Sequence, residues 1–100
     1  MPEAELKVAR SESRNRWEAV VEGQTAFAEY FLRGNVVTFP HTVVPAALEG
    51  RGIGSALAKA ALDDAREQGL TVVPRCPFFR AYIQRHPEYE DLVDPSFTLR

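Results

Sequence analysis

Apolar and polar residues change their period along this chain, and the change divides it. Between the turn-rich segments "RSESRN" (10–15), "EGQ" (22–24) and "RGN" (33–35), side chains alternate in character. Trp17, Ala19 and Val21 interleave with Glu18, Val20 and Glu22, and Phe27, Glu29 and Phe31 interleave with Ala28, Tyr30 and Leu32. A period of two puts successive side chains on opposite faces of a strand, and short, regular turn signals join such strands as hairpins. The pattern predicts an antiparallel meander of roughly four strands ending in "NVVTFPHTVV", 35–44. One apolar face per strand places Trp17, Phe27 and Phe31 in the expected core.

From Arg51 the period becomes helical. No proline interrupts 51–68, and Ile53, Leu57, Ala60, Ala61 and Ala65 form an apolar stripe. Gly69 suits the position just past a helix, where the backbone turns left-handed. "LTVVP" (70–74) reads as a short strand, and Pro77 fits the first residue of a second helix with Phe78, Tyr82 and Arg85 at helical spacing. The closing "LVDPSFTLR" carries no decisive pattern. Strand, helix and strand in succession make a βαβ unit, so 35–44 and 70–74 are expected to lie parallel. The fold class is therefore α+β with a mixed sheet. An N-terminal antiparallel meander is followed by a β-α-β-α unit, in one domain spanning 1–100.

Parallel neighbours end at the same edge of a sheet. The glycine-rich loop after the first strand and Arg75-Cys76 after the second are thus expected to converge, where open α/β sheets place ligands.

Composition narrows the field of ligands. With 45% hydrophobic and 10% aromatic residues, 100 residues can bury a modest core. Twelve basic and fourteen acidic residues give a net charge of -2 without blocks of like charge, which argues against nucleic acid as a partner. Apolar runs are too short to span a bilayer, and the first fifteen residues are charged and polar, so neither a membrane partner nor a signal peptide is expected. Cys76 is the single cysteine, which excludes an intrachain disulfide and a thiolate zinc cluster. His41, His86 and the scattered carboxylates show no metal-ligand spacing. A reduced, cytoplasmic location is expected. No feature demands a particular oligomeric state.

The segment "LEGRGIGSAL", Leu48 to Leu57, puts Gly50, Gly52 and Gly54 on alternate positions where a helix should begin. Each glycine costs a helix ~1 kcal/mol relative to alanine. A helix start carries unpaired N–H groups and about half a positive charge, usually answered by Ser, Thr, Asp or Asn. None of these occurs between Val43 and Gly54, whereas Asp63, Asp64 and Glu67 gather at the far end. An uncapped positive end beside Arg51 is what a phosphate or pyrophosphate requires. A Walker loop fails, because Gly54 is followed by Ser55 and Ala56. A dinucleotide fingerprint fails too: it needs glycine at Ser55 and an acidic residue after "VVPRC". The plain alternative is a tight strand-to-helix connection, for which one glycine is expected to suffice.

"LEGRGIGSALAKAAL" resembles the acetyl-CoA-binding motif of the GNAT acetyltransferase superfamily, a Gln/Arg-x-x-Gly-x-Gly/Ala pattern opening its main helix. "FPHTVVP" before it and "VVPRCPFFRAYIQRHPEY" after it are similar to the short, single-domain, cysteine-containing branch of that superfamily. The resemblance implies a minimal GNAT-like fold and acetyl-CoA (coenzyme A) as the bound group. By that resemblance the backbone of Arg51, Gly52, Ile53, Gly54 and Ser55 holds the pyrophosphate, and His41, Thr42, Val43 and Val44 pair with the pantetheine arm. Glu49 occupies the usual Gln/Arg position, and a carboxylate cannot donate to phosphate. Pro40 and Pro45 interrupt the strand and would leave backbone groups free to face the pantetheine. They serve equally well to protect an edge strand.

Moving an acetyl group to an amine requires a deprotonated amine, a stabilised oxyanion and a proton for the departing thiolate. The candidates are Cys76, His41 and Tyr82. Cys76 directly precedes the helix at Pro77, near Arg75 and Arg80, a setting that favours the nucleophilic thiolate and an acetyl-thioester intermediate. Its alternative role is a small buried residue closing the turn. His41 offers an imidazole that accepts a proton near neutral pH, or else a structural hydrogen bond. Tyr82 can protonate the thiolate, or simply fill the core, while His86 reads as a helix-ending surface residue. The expected function is an acetyl-CoA-dependent N-acetyltransferase for an amine acceptor on a protein or small molecule. A non-catalytic CoA or acyl-CoA-binding module is the alternative, and a small interaction domain without a cofactor ranks third.

Overall fold

The computed structural model describes residues 7–99. Strands β1 (Val8–Ser11), β2 (Arg16–Val21) and β3 (Gln24–Glu29) pair antiparallel in chain order. Glu22 and Gly23, with φ of 53° and 77°, make the two-residue turn between β2 and β3, the left-handed geometry that matches strand twist. The register opposes Trp17 to Ala28 and Ala19 to Ala26, so these four share the face that helix α1 (Ile53–Gln68) covers. Glu18 and Phe27 oppose each other on the outer face.

This register corrects the expected core. Trp17 packs against it, but Phe27 lies half-buried beneath the Arg16 guanidinium at 4.1 Å, and Phe31 is 58% exposed. Ala26, Ala28 and Tyr30 occupy the inner face instead. Small side chains there let the helix come close, and alternation alone shows that two faces exist without saying which one is covered.

Two segments read as continuous strands are each broken. The run 25–32 is interrupted at Tyr30, after which β4 (Phe31–Arg33) pairs antiparallel with β5 (Val36–Thr38). The expected strand 35–44 divides into β5 and β6 (Thr42–Val43), which belong to different sheets. β5 pairs parallel with β7 (Thr71–Val73), as the βαβ pattern predicted, through Val36–Thr71, Val37–Val72 and Thr38–Val73. β6 instead pairs antiparallel with β3. The sheets run β1-β2-β3-β6 and β4-β5-β7, a mixed α+β arrangement of the expected class.

Pro40 sits at the break, where a residue without an N–H ends a ladder. Just before it, the Phe39 N–H donates to Val73 O at 3.0 Å and the Cys76 N–H donates to Phe39 O at 2.8 Å. Just after it, the Glu29 N–H donates to His41 O at 3.0 Å. The chain thus leaves β7 and stays with β3. A V opens between β6 and the segment following β7.

Helix α1 buries Ile53, Leu57, Ala58, Ala61, Leu62 and Ala65. Compared with the expected stripe, Ala58 and Leu62 join it and Ala60 is half-buried. Gly69 ends the helix at φ 72°, as its position predicts. Helix α2 (Pro77–Arg85) buries Phe79, Tyr82 and Ile83, and Phe79 stacks on Phe39 with ring centroids 4.4 Å apart. Each such fully buried aromatic or leucine side chain contributes about 2 kcal/mol. The closing stretch gives a 3-10 turn over Pro87–Leu92 and a single parallel bridge from Val93 to Val72, which covers the free edge of β7. Among the described residues no helix is long and apolar enough to cross a membrane, and no group of metal-ligating side chains converges.

Candidate functional site

The V widens into an open groove of about 570 Å³. One wall is β6 with the following residues Val44, Leu48 and Glu49. The floor is Gly50 and the start of α1, Gly52 to Ser55, and Phe78 of α2 closes the opposite side. Of the residues expected to hold a ligand, Thr42, Val43, Val44, Gly52, Ile53, Gly54 and Ser55 line this groove, while His41 and Arg51 do not.

The three glycines have two different causes. Gly50 and Gly52 adopt φ of 84° and 76°, left-handed values that cost other residues about 1–2 kcal/mol, and a Cβ at either would meet nothing within 4 Å. Gly54 is helical, and its Cβ would stand 2.8 Å from the Phe78 ring. The expectation that a plain connection needs one glycine is therefore corrected. The connection uses two, and the third makes room for a side chain. Phe78, Leu48 and Gly50 line the groove without having been named among the ligand-holding residues; Gly50 stood out only as part of the glycine run and Phe78 only by its helical spacing. For Phe78, the available signal was its place in the first turn of a helix opened by Pro77.

Gly52 begins α1 with no side-chain cap. The first helical bond is donated by the Ala56 N–H to Gly52 O at 3.0 Å, so the N–H groups of Ile53, Gly54 and Ser55 have no intrahelical acceptor. They lie on the groove floor. Among the described residues β6 pairs with β3 alone, so the groove wall is an edge strand. An anion thus meets unpaired donors at one end, and an extended polar chain meets a free strand edge beside it. Glu49 is an exposed carboxylate at the mouth. Arg51 stands next to it, its guanidinium 3.0 Å from Glu22; hydrogen bonding and charge from Arg51 hold the Glu22 carboxyl below its ordinary value.

The chemical candidates are distributed unevenly. Cys76 lies where the V closes, only 3% exposed, and its thiol donates to Thr42 Oγ1 at 3.4 Å. His41 precedes Thr42, yet its side chain is 61% exposed and places Nε2 2.6 Å from Glu29 Oε1. Tyr82 is buried in an aromatic cluster, stacked on His86 at 4.1 Å and beside Tyr89 at 6.1 Å. Burial pushes its hydroxyl above the ordinary value, and the structure does not bring it among the groove-lining residues. His86 ends α2 as expected, but it is half-buried rather than a surface residue, with Nδ1 2.9 Å from Tyr82 O.

Known proteins resemble this chain in sequence and in overall fold. Residues 16–92 match a family whose description is GCN5-related N-acetyl-transferase. Protein NATD1 of Xenopus tropicalis is 27% identical over 99 residues, covering 94% of this chain and 91% of that protein. Protein NATD1 of Mus musculus is 39% identical over 67 residues, which are 65% of this chain and 61% of the mouse protein. A GCN5-like protein from Staphylococcus aureus, solved by NMR, superposes with a TM-score of 0.70 at 27% identity, covering 89% of this chain and 88% of the other.

Proposed function

Because this chain belongs to the GCN5-related N-acetyltransferase family, we propose that its groove binds acetyl-CoA and that the protein moves the acetyl group to an amine. The single observation that carries this reading is the meeting, in one groove, of an uncapped helix start and an unpaired strand edge. Gly50 and Gly52 leave open space where any other residue would project a Cβ, so the backbone can be approached closely. The N–H groups of Ile53, Gly54 and Ser55 would hold the diphosphate, and β6 with Val44 would hydrogen-bond the amides of the pantetheine arm.

Bound acetyl-CoA supplies an activated thioester carbonyl. Around it, this chain's own groups bind, orient and move protons. Cys76 and Thr42 mark the closed end of the V, where the reacting end of an extended chain lying along β6 would arrive. The Cys76 S–H is held by Thr42, which fixes the sulfur's position. His41, on the outer face, is the group that accepts a proton from the incoming amine. Tyr82, enclosed by His86 and Tyr89, is assigned to packing.

A second reading, a module that binds CoA without transferring acetyl groups, is favoured by one observation: Cys76 is buried, and neither it nor His41 lines the groove. Thiol release from acetyl-CoA, followed over a panel of amines, separates the two. Amine-dependent release supports the transferase, and tight binding without release supports the module. Amide shifts of residues 42–44 and 53–55 on adding CoA test the site itself. Perturbation confined to other residues would overturn both readings. A Cys76→Ser variant with full transfer activity would reject a covalent role for the thiol.

A further inference from the structure

We propose that Glu29 is a positioning residue for His41, holding the imidazole in the tautomer that leaves Nδ1 free to accept a proton. The proposal rests on the transferase reading above and adds to it a residue from a different strand. Glu29 Oε1 lies 2.6 Å from His41 Nε2. At that distance a lone pair on Nε2 would face the carboxylate oxygen, so the neutral ring of this pair carries its hydrogen on Nε2 and the lone pair on Nδ1.

The backbone sets this pairing. The Glu29 N–H donates to His41 O at 3.0 Å, and the adjacent ladder pair is Ala28 with Thr42. Both side chains therefore stand together at the bend where the chain leaves β7. The cation opposite Glu29 in the ladder is engaged elsewhere. Arg16 opposes Glu29 in the ladder, yet its Nε bonds Glu18 at 2.6 Å and its guanidinium lies over Phe27 at 4.1 Å.

The place matters for the chemistry. His41 is next in sequence to Thr42, whose hydroxyl accepts from the Cys76 thiol at the closed end of the V. The helix α1 covers the inner face of the sheet, whereas the outer face leaves Val43 and Phe31 exposed. An amine reaching the V from that outer side meets the imidazole first. The amine would give its proton to Nδ1 and keep the electron pair that bonds to the thioester carbonyl carbon; as the carbon–sulfur bond breaks, the CoA thiolate would leave with that bond's electron pair and take a proton back from the imidazolium, whose Nε2–H stays beside Glu29.

The test uses Glu29→Leu and Glu29→Gln in the full chain, with CoA binding as the check on folding. Imidazole ¹⁵N shifts, recorded where His41 is neutral, are expected to show the Nε2–H tautomer in the wild type. The same tautomer is expected in Glu29→Gln, whose amide oxygen still accepts, and a mixture in Glu29→Leu. In the amine-dependent assay, kcat is expected to fall about tenfold in Glu29→Leu with the acetyl-CoA KM unchanged, and Glu29→Gln is expected to recover most of that loss. An unaltered tautomer and kcat in Glu29→Leu would overturn the proposal. So would a Glu29→Gln variant as impaired as Glu29→Leu, because charge rather than orientation would then be the requirement. If the wild type transfers acetyl to no amine, the transferase reading fails, while the tautomer measurement still decides whether Glu29 holds the ring.

Discussion

A Cβ on Gly54 would stand 2.8 Å from Cζ of Phe78, closer than two carbons can pack. The ring of α2 thus rests directly on the first turn of α1. Gly54→Ala gains up to about 1 kcal/mol of helix propensity and loses more by displacing the ring. The expected net effect is a destabilisation of about 1 kcal/mol, reversed to a gain in a Phe78→Ala background. A double-mutant cycle by urea unfolding measures this coupling. Additivity within about 0.5 kcal/mol would show that the two residues do not constrain each other.

Gly52 should behave differently under the same substitution. Its φ of 76° is the obstacle, and the space around it is empty. Gly52→Ala is expected to cost about 1–2 kcal/mol irrespective of Phe78, and Gly52→Asn clearly less, since asparagine tolerates the left-handed region. Thermal unfolding of the three variants, with and without Phe78→Ala, distinguishes backbone strain from crowding.

Charge at the groove mouth provides a third test. Glu49 is exposed on the groove wall, where a carboxylate repels phosphate. Glu49→Arg is expected to tighten CoA binding by about threefold to tenfold at low ionic strength, an advantage that shrinks as salt rises. Glu22→Gln, which releases Arg51 from its 3.0 Å ion pair, should shift affinity the same way by a smaller factor. Calorimetry at two salt concentrations reads both; affinity unchanged or weakened by Glu49→Arg would place the phosphates elsewhere.

Acid stability reports on the contact between α1 and the C-terminal turn. The Tyr89 hydroxyl donates to Asp63 Oδ1 at 2.6 Å, and Lys59 bonds the other oxygen at 2.7 Å. Burial opposes the Asp63 charge, but the hydrogen bonds from Lys59 and Tyr89 outweigh it, so the carboxyl lies below its ordinary value. A depressed carboxyl contributes stability that is present above its unfolded value of about 4 and is lost as pH falls through the lower folded value. Burial, then the bond to Asp63, pushes the Tyr89 hydroxyl up, so its contribution is complete below about 10 and lost as pH rises toward the folded value. Tyr89→Phe is expected to cost about 1–2 kcal/mol at pH 7 and distinctly less near pH 2.5. Equal costs at both values would mean that Asp63 charge plays no part.

Much of the site was legible because its features are local. Pro77 opening a helix, Gly69 closing one and the glycine run before Ile53 all act through the backbone of neighbouring residues. Each stood where it was expected. Thr42 to Val44, placed beside the ligand by the family resemblance, line the groove, whereas the bracketing prolines by themselves left that role and mere edge protection equally open. Phe27 and Phe31 went to the outer face because Ala26 and Ala28 admit the helix more closely. The break at Pro40 shared strand 35–44 between two sheets, and Tyr82 turned into an aromatic cluster rather than the groove.

The chain's order of apolar, proline and glycine positions determined by itself which elements form, where they stop, and that a helix would begin with bare N–H groups, because these depend on dihedral preferences within a few residues. Only the tertiary structure decided which face of β3 is covered, that Phe78 occupies the space above Gly54, and that Glu29 meets His41. Those outcomes depend on volumes and hydrogen bonds between residues far apart in sequence, which compete for the same space only once the sheet has bent and the helices have packed.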